Sequence, residues 1–237
     1  MQLMTKEEKE RFCELLACLF SPPDQEMIEQ IHQGNLHSFF EQYIKSWGEE
    51  TGLLKGFLIE DDPEILFRDL KEEYSRLFSD VGGENISLVE SFYKPWTQDP
   101  HCPLTFASEK GLLMGDSALH LSAIYQQCGL EVAEEFKGRP DHIVMELEFL
   151  SYLYRWTSDR EVRRFIEDHL DWILLLKGEL EKVRAHPFYI GVLEVLDLFL
   201  KTERKRLEKE SDGEENIHRE IPDGLGVDRI NPIDRLW

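Results

Sequence analysis

The chain has 237 residues, 41% hydrophobic and 32% charged, a composition typical of a soluble globular protein large enough for a real core. Its net charge of −21, from 48 acidic and 27 basic side chains, repels phosphate backbones, so we expect no binding to nucleic acid. The same charge favours basic ligands or partners, although solubility alone explains it equally well.

The N-terminal half is dominated by apolar residues at helical spacing. Thr5 and Glu8 form a capping-box pattern, which predicts a helix that ends before the prolines at 22 and 23. Further helices are predicted at about 24–33, 36–47 and 63–79. Residues 80–85, with two glycines, are expected to form a turn, and the proline-containing segment 87–104 to be irregular or only briefly helical.

The C-terminal half continues in the same way. Helices are predicted at about 105–128, from Asp141, from about 159 to 183, and after the pair His186-Pro187. Residues 201–216 resemble a charged helix end that passes into a flexible linker. No segment alternates with a period of two. We therefore predict an all-α protein, with a single-domain helical bundle of roughly eight to ten helices in residues 1–210, and a linker and tail in 211–237.

Three further features bear on the compartment. The longest apolar run, at about 172–176, is too short to span a bilayer, so no stable membrane insertion is expected. The N-terminus carries charges of both signs and lacks the apolar core of a secretory signal, which favours the cytoplasm. The four cysteines show no CxxC spacing; they are expected to be reduced, mostly buried thiols that hold no zinc.

The segment 137–155, KGRPDHIVMELEFLSYLYR, combines polar residues with a helix that is apolar on two faces. A helix of this kind is expected at the centre of a bundle. Asp141 suits a helix cap, and His142 with Glu146 suits a hydrogen-bonded core pair. Ionised groups in a core are costly unless they are paired, so a cleft wall explains them better. His142 and Glu146 alone do not make a metal site, and no cofactor is expected.

Three blocks follow one another at a recognisable spacing: YSRLF at 74–78, ESFY at 90–93, and PDHI at 140–143 followed by ELEFL at 146–150. In order and spacing they resemble the TorD/DmsD/NarJ-like family of cytoplasmic chaperones for molybdenum-containing redox enzymes. The resemblance covers about residues 5–205 and does not extend to the tail. Where family members carry tryptophan in the middle block, this chain has Val89 and Tyr93, which leaves its peptide preference open.

The resemblance implies a TorD-like helical fold and a non-catalytic function. The expected partner is the apo-form of a molybdopterin oxidoreductase catalytic subunit, whose twin-arginine signal peptide is held until the cofactor has been inserted. The chaperone itself would be a monomer or a domain-swapped dimer. The resemblance does not identify the client. Matched to the family, the peptide-binding residues are Tyr74, Leu77, Phe78, Glu90, Ser91, Tyr93, Asp141 and His142.

These residues suggest a division of roles. The apolar part of the peptide would be buried by side chains such as Phe78 and Tyr93, while Glu90 and Asp141 would face the guanidinium groups. His142 would orient Asp141 or donate to a peptide carbonyl. The spacing of the 74–78 block fits ordinary core packing equally well. Two other functions stay open at this point: a metal- or nucleotide-dependent hydrolase that uses Asp141, His142 and Glu146, and a structural subunit of an acidic helical assembly.

Overall fold

The computed structural model describes residues 4–59, 61–79 and 84–218, with side chains through residue 209. Within these ranges the chain forms ten α-helices and two short 3-10 helices, and the only strand pairing is a single antiparallel bridge. The all-α prediction is confirmed. The helices are α1 (Lys6–Leu19), α2 (Gln25–His32), α3 (Asn35–Trp47), α4 (Pro63–Phe78), α5 (Glu90–Tyr93), α6 (Asp116–Gln127), α7 (Ile143–Trp156), α8 (Asp159–His169), α9 (Ile173–Lys182) and α10 (Pro187–His218).

The first four helices begin and end close to the predicted positions. The predicted capping box opens α1: the Thr5 hydroxyl accepts from the Glu8 amide at 3.2 Å, and the Glu8 carboxylate accepts from the Thr5 amide at 2.7 Å. Asp24 caps α2 through the Met27 amide at 2.8 Å. Asp62 caps α4, whose first residue is a proline. Local side-chain signals therefore fix this part of the fold.

Helix α7 lies at the centre of the bundle, as its two apolar faces predict. Ten of its 14 residues are buried, and it packs mainly against α1 and also against α8. A second part of the core forms around Phe12 of α1, which stacks on Phe199 of α10 at 4.7 Å between ring centroids and meets Phe40 of α3 edge-on at 5.4 Å. The core therefore joins the N-terminal helices to the last one.

The 3-10 helix Thr51–Phe57 was not predicted, and it packs directly against α10. A Cβ atom on Gly56 would lie 2.1 Å from the Pro187 carbonyl oxygen and 2.6 Å from the Pro187 carbonyl carbon. A Cβ atom on Gly191 would lie 3.0 Å from the Phe57 ring. Two glycines on opposite sides therefore allow the two backbones to approach closely.

Helix α6 begins at Asp116 and not near 105, so this predicted start was wrong. The residues before it form a folded loop, in which the Trp96 amide donates to the Glu109 carbonyl at 2.9 Å and the Thr97 amide to Ala107 at 2.8 Å. The loop's amides and carbonyls are therefore paired with each other, and they do not need a longer helix to satisfy their hydrogen bonds. The predicted short helical turn in the preceding segment is confirmed as α5.

The single helix predicted from 159 to 183 is two helices, α8 and α9, separated at residues 170–172. The break allows Trp172 to point inward, where it stacks on Tyr93 at 5.1 Å. Helix α7 begins at Ile143, because His142 and not Asp141 is its N-terminal cap. These boundaries depend on tertiary contacts that a helical pattern does not contain.

Helix α10 continues to His218, beyond the point where the charged segment was expected to become a linker. Residues 80–83 of the turn predicted at 80–85, and the tail from 219, lie outside the described residues. The division into 1–210 and 211–237 stays a prediction.

Of the four cysteines, only Cys13 is buried, so the prediction of mostly buried thiols was wrong; all four are free. Within the described residues, none of the helices combines the length and the hydropathy needed to cross a bilayer.

Candidate functional site

A groove of about 590 Å³ opens where the ends of α1 and α4 meet the extended segment 85–89 and the start of α7. Its volume is in the usual range for a ligand site. The aromatic side chains and the one imidazole that line it are Phe20, Tyr74, Phe78, Phe92, Phe136 and His142. The lining combines these rings with polar side chains such as Ser21, Ser87 and Glu135, so it suits a ligand that has both apolar and hydrogen-bonding groups.

Backbone hydrogen bonds join the three sequence blocks beneath this groove. The Ile86 amide donates to the Leu77 carbonyl at 2.8 Å, which ties the extended segment to the end of α4. The Ile143 amide donates to the Leu88 carbonyl at 2.8 Å, and the Glu90 amide donates to the Asp141 carbonyl at 2.9 Å. The structure thus brings the first, second and third blocks together, although the third block begins 62 positions after the end of the first.

His142 is an uncharged hydrogen-bond donor in the groove wall. Its Nδ1 accepts from the Val144 amide at 3.2 Å, so the ring proton is on Nε2. Burial, with a smaller effect from the nearby Arg139 charge, lowers the pKa of His142 to about 3. The ring is 6% exposed and packs on Phe136 at 4.7 Å between centroids. His142 therefore caps α7 with one nitrogen and leaves the other for a ligand.

Asp141 lies behind the groove wall and holds the start of α5. It is 1% exposed, and its Oδ2 accepts from the Ser91 amide at 2.7 Å. Burial raises the pKa of the Asp141 carboxyl, against the hydrogen bonds from Ser91 that lower it. The capping role foreseen for Asp141 is therefore present, but it acts on α5 and not on its own helix.

Glu90 is fully buried and has its own partners. His169 Nδ1 lies 2.9 Å from one carboxylate oxygen, and Lys94 Nζ lies 2.6 Å from the other. Lys94 also contacts Asp171 at 2.6 Å. Burial opposes ionisation of Glu90, but the hydrogen bond and charge of His169, followed by those of Lys94, outweigh it and lower the pKa. The negative charge is therefore compensated inside the protein.

Glu146 completes this buried cluster. Trp172 Nε1 donates to its Oε2 at 3.1 Å. Burial first, and then the charges of Glu90 and Asp141, raise the pKa of Glu146 well above its usual value. The uncharged form of Glu146 is therefore favoured, because a second negative charge beside Glu90 and Asp141 would be costly in this buried cluster.

The three residues of the hydrolase alternative do not converge on a reaction site. Asp141 contacts Ser91, Glu146 contacts Trp172, and His142 caps its own helix. In the part of the chain that the structure describes, no group of three or more His, Cys, Asp or Glu side chains has an arrangement that would hold a metal ion.

The structure separates the eight expected site residues into two groups. Three of them line the groove: Tyr74, Phe78 and His142. The others are buried behind it: Leu77, Glu90, Ser91, Tyr93 and Asp141. Tyr93, for example, donates its hydroxyl to the Ser87 carbonyl at 2.8 Å and stacks on Trp172.

Several lining residues were not predicted. Phe92 lies inside the second block, next to the predicted residue Tyr93, so the resemblance already pointed to this segment. Phe20, Phe136 and Arg139 lie outside the three blocks, and nothing in their local pattern distinguishes them from ordinary surface or core residues. They become part of the site only because the ends of α1 and α7 meet.

Two comparisons with known proteins agree. The family model of the nitrate reductase delta subunit matches residues 44–183, a range that contains all eight expected site residues. The chaperone protein TorD of Shewanella piezotolerans is 22% identical over 202 residues, which cover 84% of this chain and 91% of that protein.

Proposed function

The chain belongs to the nitrate reductase delta subunit family of TorD/NarJ-type chaperones for molybdoenzyme maturation, and from this premise we propose that its groove binds the twin-arginine signal peptide of a client subunit. The protein is a chaperone that binds molybdoenzyme subunits and not an enzyme. In the proposal the client is the apo-form of a molybdopterin oxidoreductase catalytic subunit. Residues 1–210 hold it in the cytoplasm before export or assembly, as a monomer or a domain-swapped dimer.

The observation that carries the proposal is a groove that combines aromatic side chains with the neutral imidazole donor of His142. Phe78, Phe92 and Phe136, which are partly exposed, offer apolar surface to the hydrophobic part of a leader peptide, in the manner of helix-in-groove recognition. His142 Nε2–H is available to a peptide carbonyl. A leader peptide has both an apolar segment and backbone acceptors, so it satisfies both features.

The site assignments follow the two groups that the structure separates. We place Tyr74, Phe78 and His142 in contact with the peptide. Glu90 and Asp141 hold the backbone behind the groove and do not meet the guanidinium groups, because both carboxylates are buried with partners of their own. Leu77, Ser91 and Tyr93 share this supporting role.

A calorimetric titration with a twin-arginine leader peptide tests the proposal. We expect binding to be about tenfold or more tighter than to the same peptide with two lysines, because the guanidinium fork matches carboxylates in a way that a point charge does not. Equal affinity for the two peptides, or no binding of either, would contradict the proposal.

A substitution in the groove wall locates the site. Phe136→Ala is expected to weaken leader binding roughly tenfold, because the partly buried ring supplies apolar contact area worth on the order of 1.5 kcal/mol. Phe67→Ala is the matched control: Phe67 is also partly buried, but it lines a separate cavity between α2 and α4. If Phe67→Ala weakens binding and Phe136→Ala does not, the peptide binds in the other cavity.

A further inference from the structure

The sequence that follows α10 is richer in apolar residues than the charged end of that helix. Among residues 201–216 Leu207 is the only hydrophobic side chain, whereas seven of the 17 residues at 221–237 are Ile, Leu, Val or Trp. A segment of low hydrophobicity and high charge stays solvated, but apolar side chains gain free energy when a surface covers them. The composition of 221–237 therefore favours a segment that docks on a surface over a solvated linker.

This tail contains a short pattern twice. The sequence is VDRI at 227–230, the first copy, and IDRL at 233–236, the second copy. Each copy places one arginine between apolar side chains. The proposed function assigns the same combination of arginine and apolar residues to the leader peptide. The chain thus carries a candidate ligand for its own groove.

The groove complements the second copy in both apolar surface and charge. Aromatic rings of its lining that are partly exposed, and so gain from being covered, are Phe78, Phe92 and Phe136. Glu135 and Arg139 give the lining one charge of each sign. Asp234 and Arg235 give the second copy one charge of each sign as well. Two pairs of opposite charge are therefore available between the tail and the groove.

The length of the tail decides which copy reaches the groove. Helix α10 begins beside the groove, because the Tyr189 ring lies 5.6 Å from the Phe78 ring between centroids. At a rise of 1.5 Å per residue, the helix ends at His218 about 44 Å away. An extended chain spans at most about 3.3–3.6 Å per residue, so roughly 13 residues are needed to return. The second copy begins 15 residues after His218 and is within reach, whereas the first copy ends 12 residues after it and falls short.

We propose that the second copy, residues 233–236, occupies the groove of its own chain when no leader is bound, and that a leader must displace it. The inference rests on the proposed function and adds its regulation. A tethered segment has an effective concentration on the order of 1 mM, so even a weak contact competes with a free peptide. The tail would cover the aromatic rings of the empty groove and exclude peptides that bind it only weakly.

A calorimetric titration of the full chain with a synthetic leader, Arg-Arg followed by a leucine-alanine segment, tests the proposal. The variant Ile233→Ala/Arg235→Ala/Leu236→Ala is expected to bind this leader about fivefold more tightly than the wild type, because its tethered competitor is weakened. An affinity equal to that of the wild type would overturn the inference and leave the proposed function standing.

The matched control is Val227→Ala/Arg229→Ala/Ile230→Ala, which makes the same kinds of change in the first copy. It is expected to bind the leader as the wild type does, because the first copy does not reach the groove. An equal gain in the two triple variants would mean that the composition of the tail acts without regard to reach, and would overturn the inference.

A change of tether length tests the reach directly. Deletion of residues 219–226 places the second copy seven residues after His218, a span of at most about 25 Å and too short to return to the groove. This variant is expected to gain affinity for the leader as the second-copy variant does. Replacement of the same eight residues by a Gly-Ser sequence of equal length should leave the affinity at the wild-type value. A deletion variant with wild-type affinity would contradict the inference.

Hydrogen exchange in the absence of any leader separates the inference from the proposed function. Groove amides at 85–92 and 135–142 are expected to exchange faster in the second-copy variant than in the wild type, and those of the cavity between α2 and α4 to be unchanged. Equal exchange at the groove, or a change only at the other cavity, would overturn the inference. A difference that disappears on dilution would mean that the tail of a second copy of the chain docks, and would overturn it too. If the groove amides differ but no leader binds, the proposed function alone fails.

Discussion

Replacing Glu90 by lysine is expected to lower the melting temperature by about 10 °C or more, or to prevent folding. The side chain has no exposed surface, and its carboxylate balances Lys94 at 2.6 Å and meets His169 at 2.9 Å. Breaking a buried pair costs about 3–5 kcal/mol, and each kcal/mol corresponds to roughly 2–4 °C for a chain of this size. The new ammonium group would also lie next to Lys94.

Thermal unfolding followed by circular dichroism measures this effect. Glu49→Lys is the matched control, because it makes the same change of charge at an exposed position and is expected to shift the melting temperature by no more than a few degrees. A Glu90→Lys protein that melts as the wild type does, but binds the leader weakly in a salt-sensitive way, would place Glu90 in contact with the peptide and contradict the structure.

Gly56→Ala is expected to destabilise the protein by about 3 kcal/mol or more. The added Cβ would lie 2.1 Å from the Pro187 carbonyl oxygen, a backbone atom that no change of rotamer can move away. Overpacking in a dense core typically costs about 1–3 kcal/mol, and a clash with backbone atoms of Pro187 and Phe188 lies at the upper end. The 3-10 helix and the start of α10 would have to separate.

Gly52→Ala is the control within the same 3-10 helix, because a Cβ at Gly52 has nothing within 4 Å. Urea unfolding of the two variants compares their free energies directly. We expect a large fall in midpoint for Gly56→Ala and almost none for Gly52→Ala. Equal midpoints would show that the 3-10 helix does not pack as tightly on α10 as the structure has it.

The helices near the N-terminus were predictable because their ends are set by neighbours in sequence. Thr5 with Glu8, Asp24, and Asp62 before Pro63 each satisfy amides within three residues. Helix α7 was predictable because two apolar faces require neighbours on most sides. The resemblance of three blocks added what periodicity does not contain, namely that these segments belong to one family of chaperones.

The rest depended on contacts between distant residues. The break before α9 follows from the inward position of Trp172, and the start of α6 follows from the hydrogen bonds of the loop that precedes it. Glu90 was expected to face a ligand, because no local pattern shows that His169, 79 positions later, would be its partner.

The double use of His142 has a consequence for the response of the protein to acid. Burial keeps the ring uncharged at any pH above about 3, so acidification to pH 5 would place no positive charge on this wall. An unfolded histidine gains its proton near pH 6.5. The folded chain therefore holds fewer protons at this position than the unfolded chain between the two values, and this residue's contribution to stability falls as the pH falls through that window. The hydrogen-bond donor that we propose for the leader is thus kept in mild acid, while the fold itself becomes less stable.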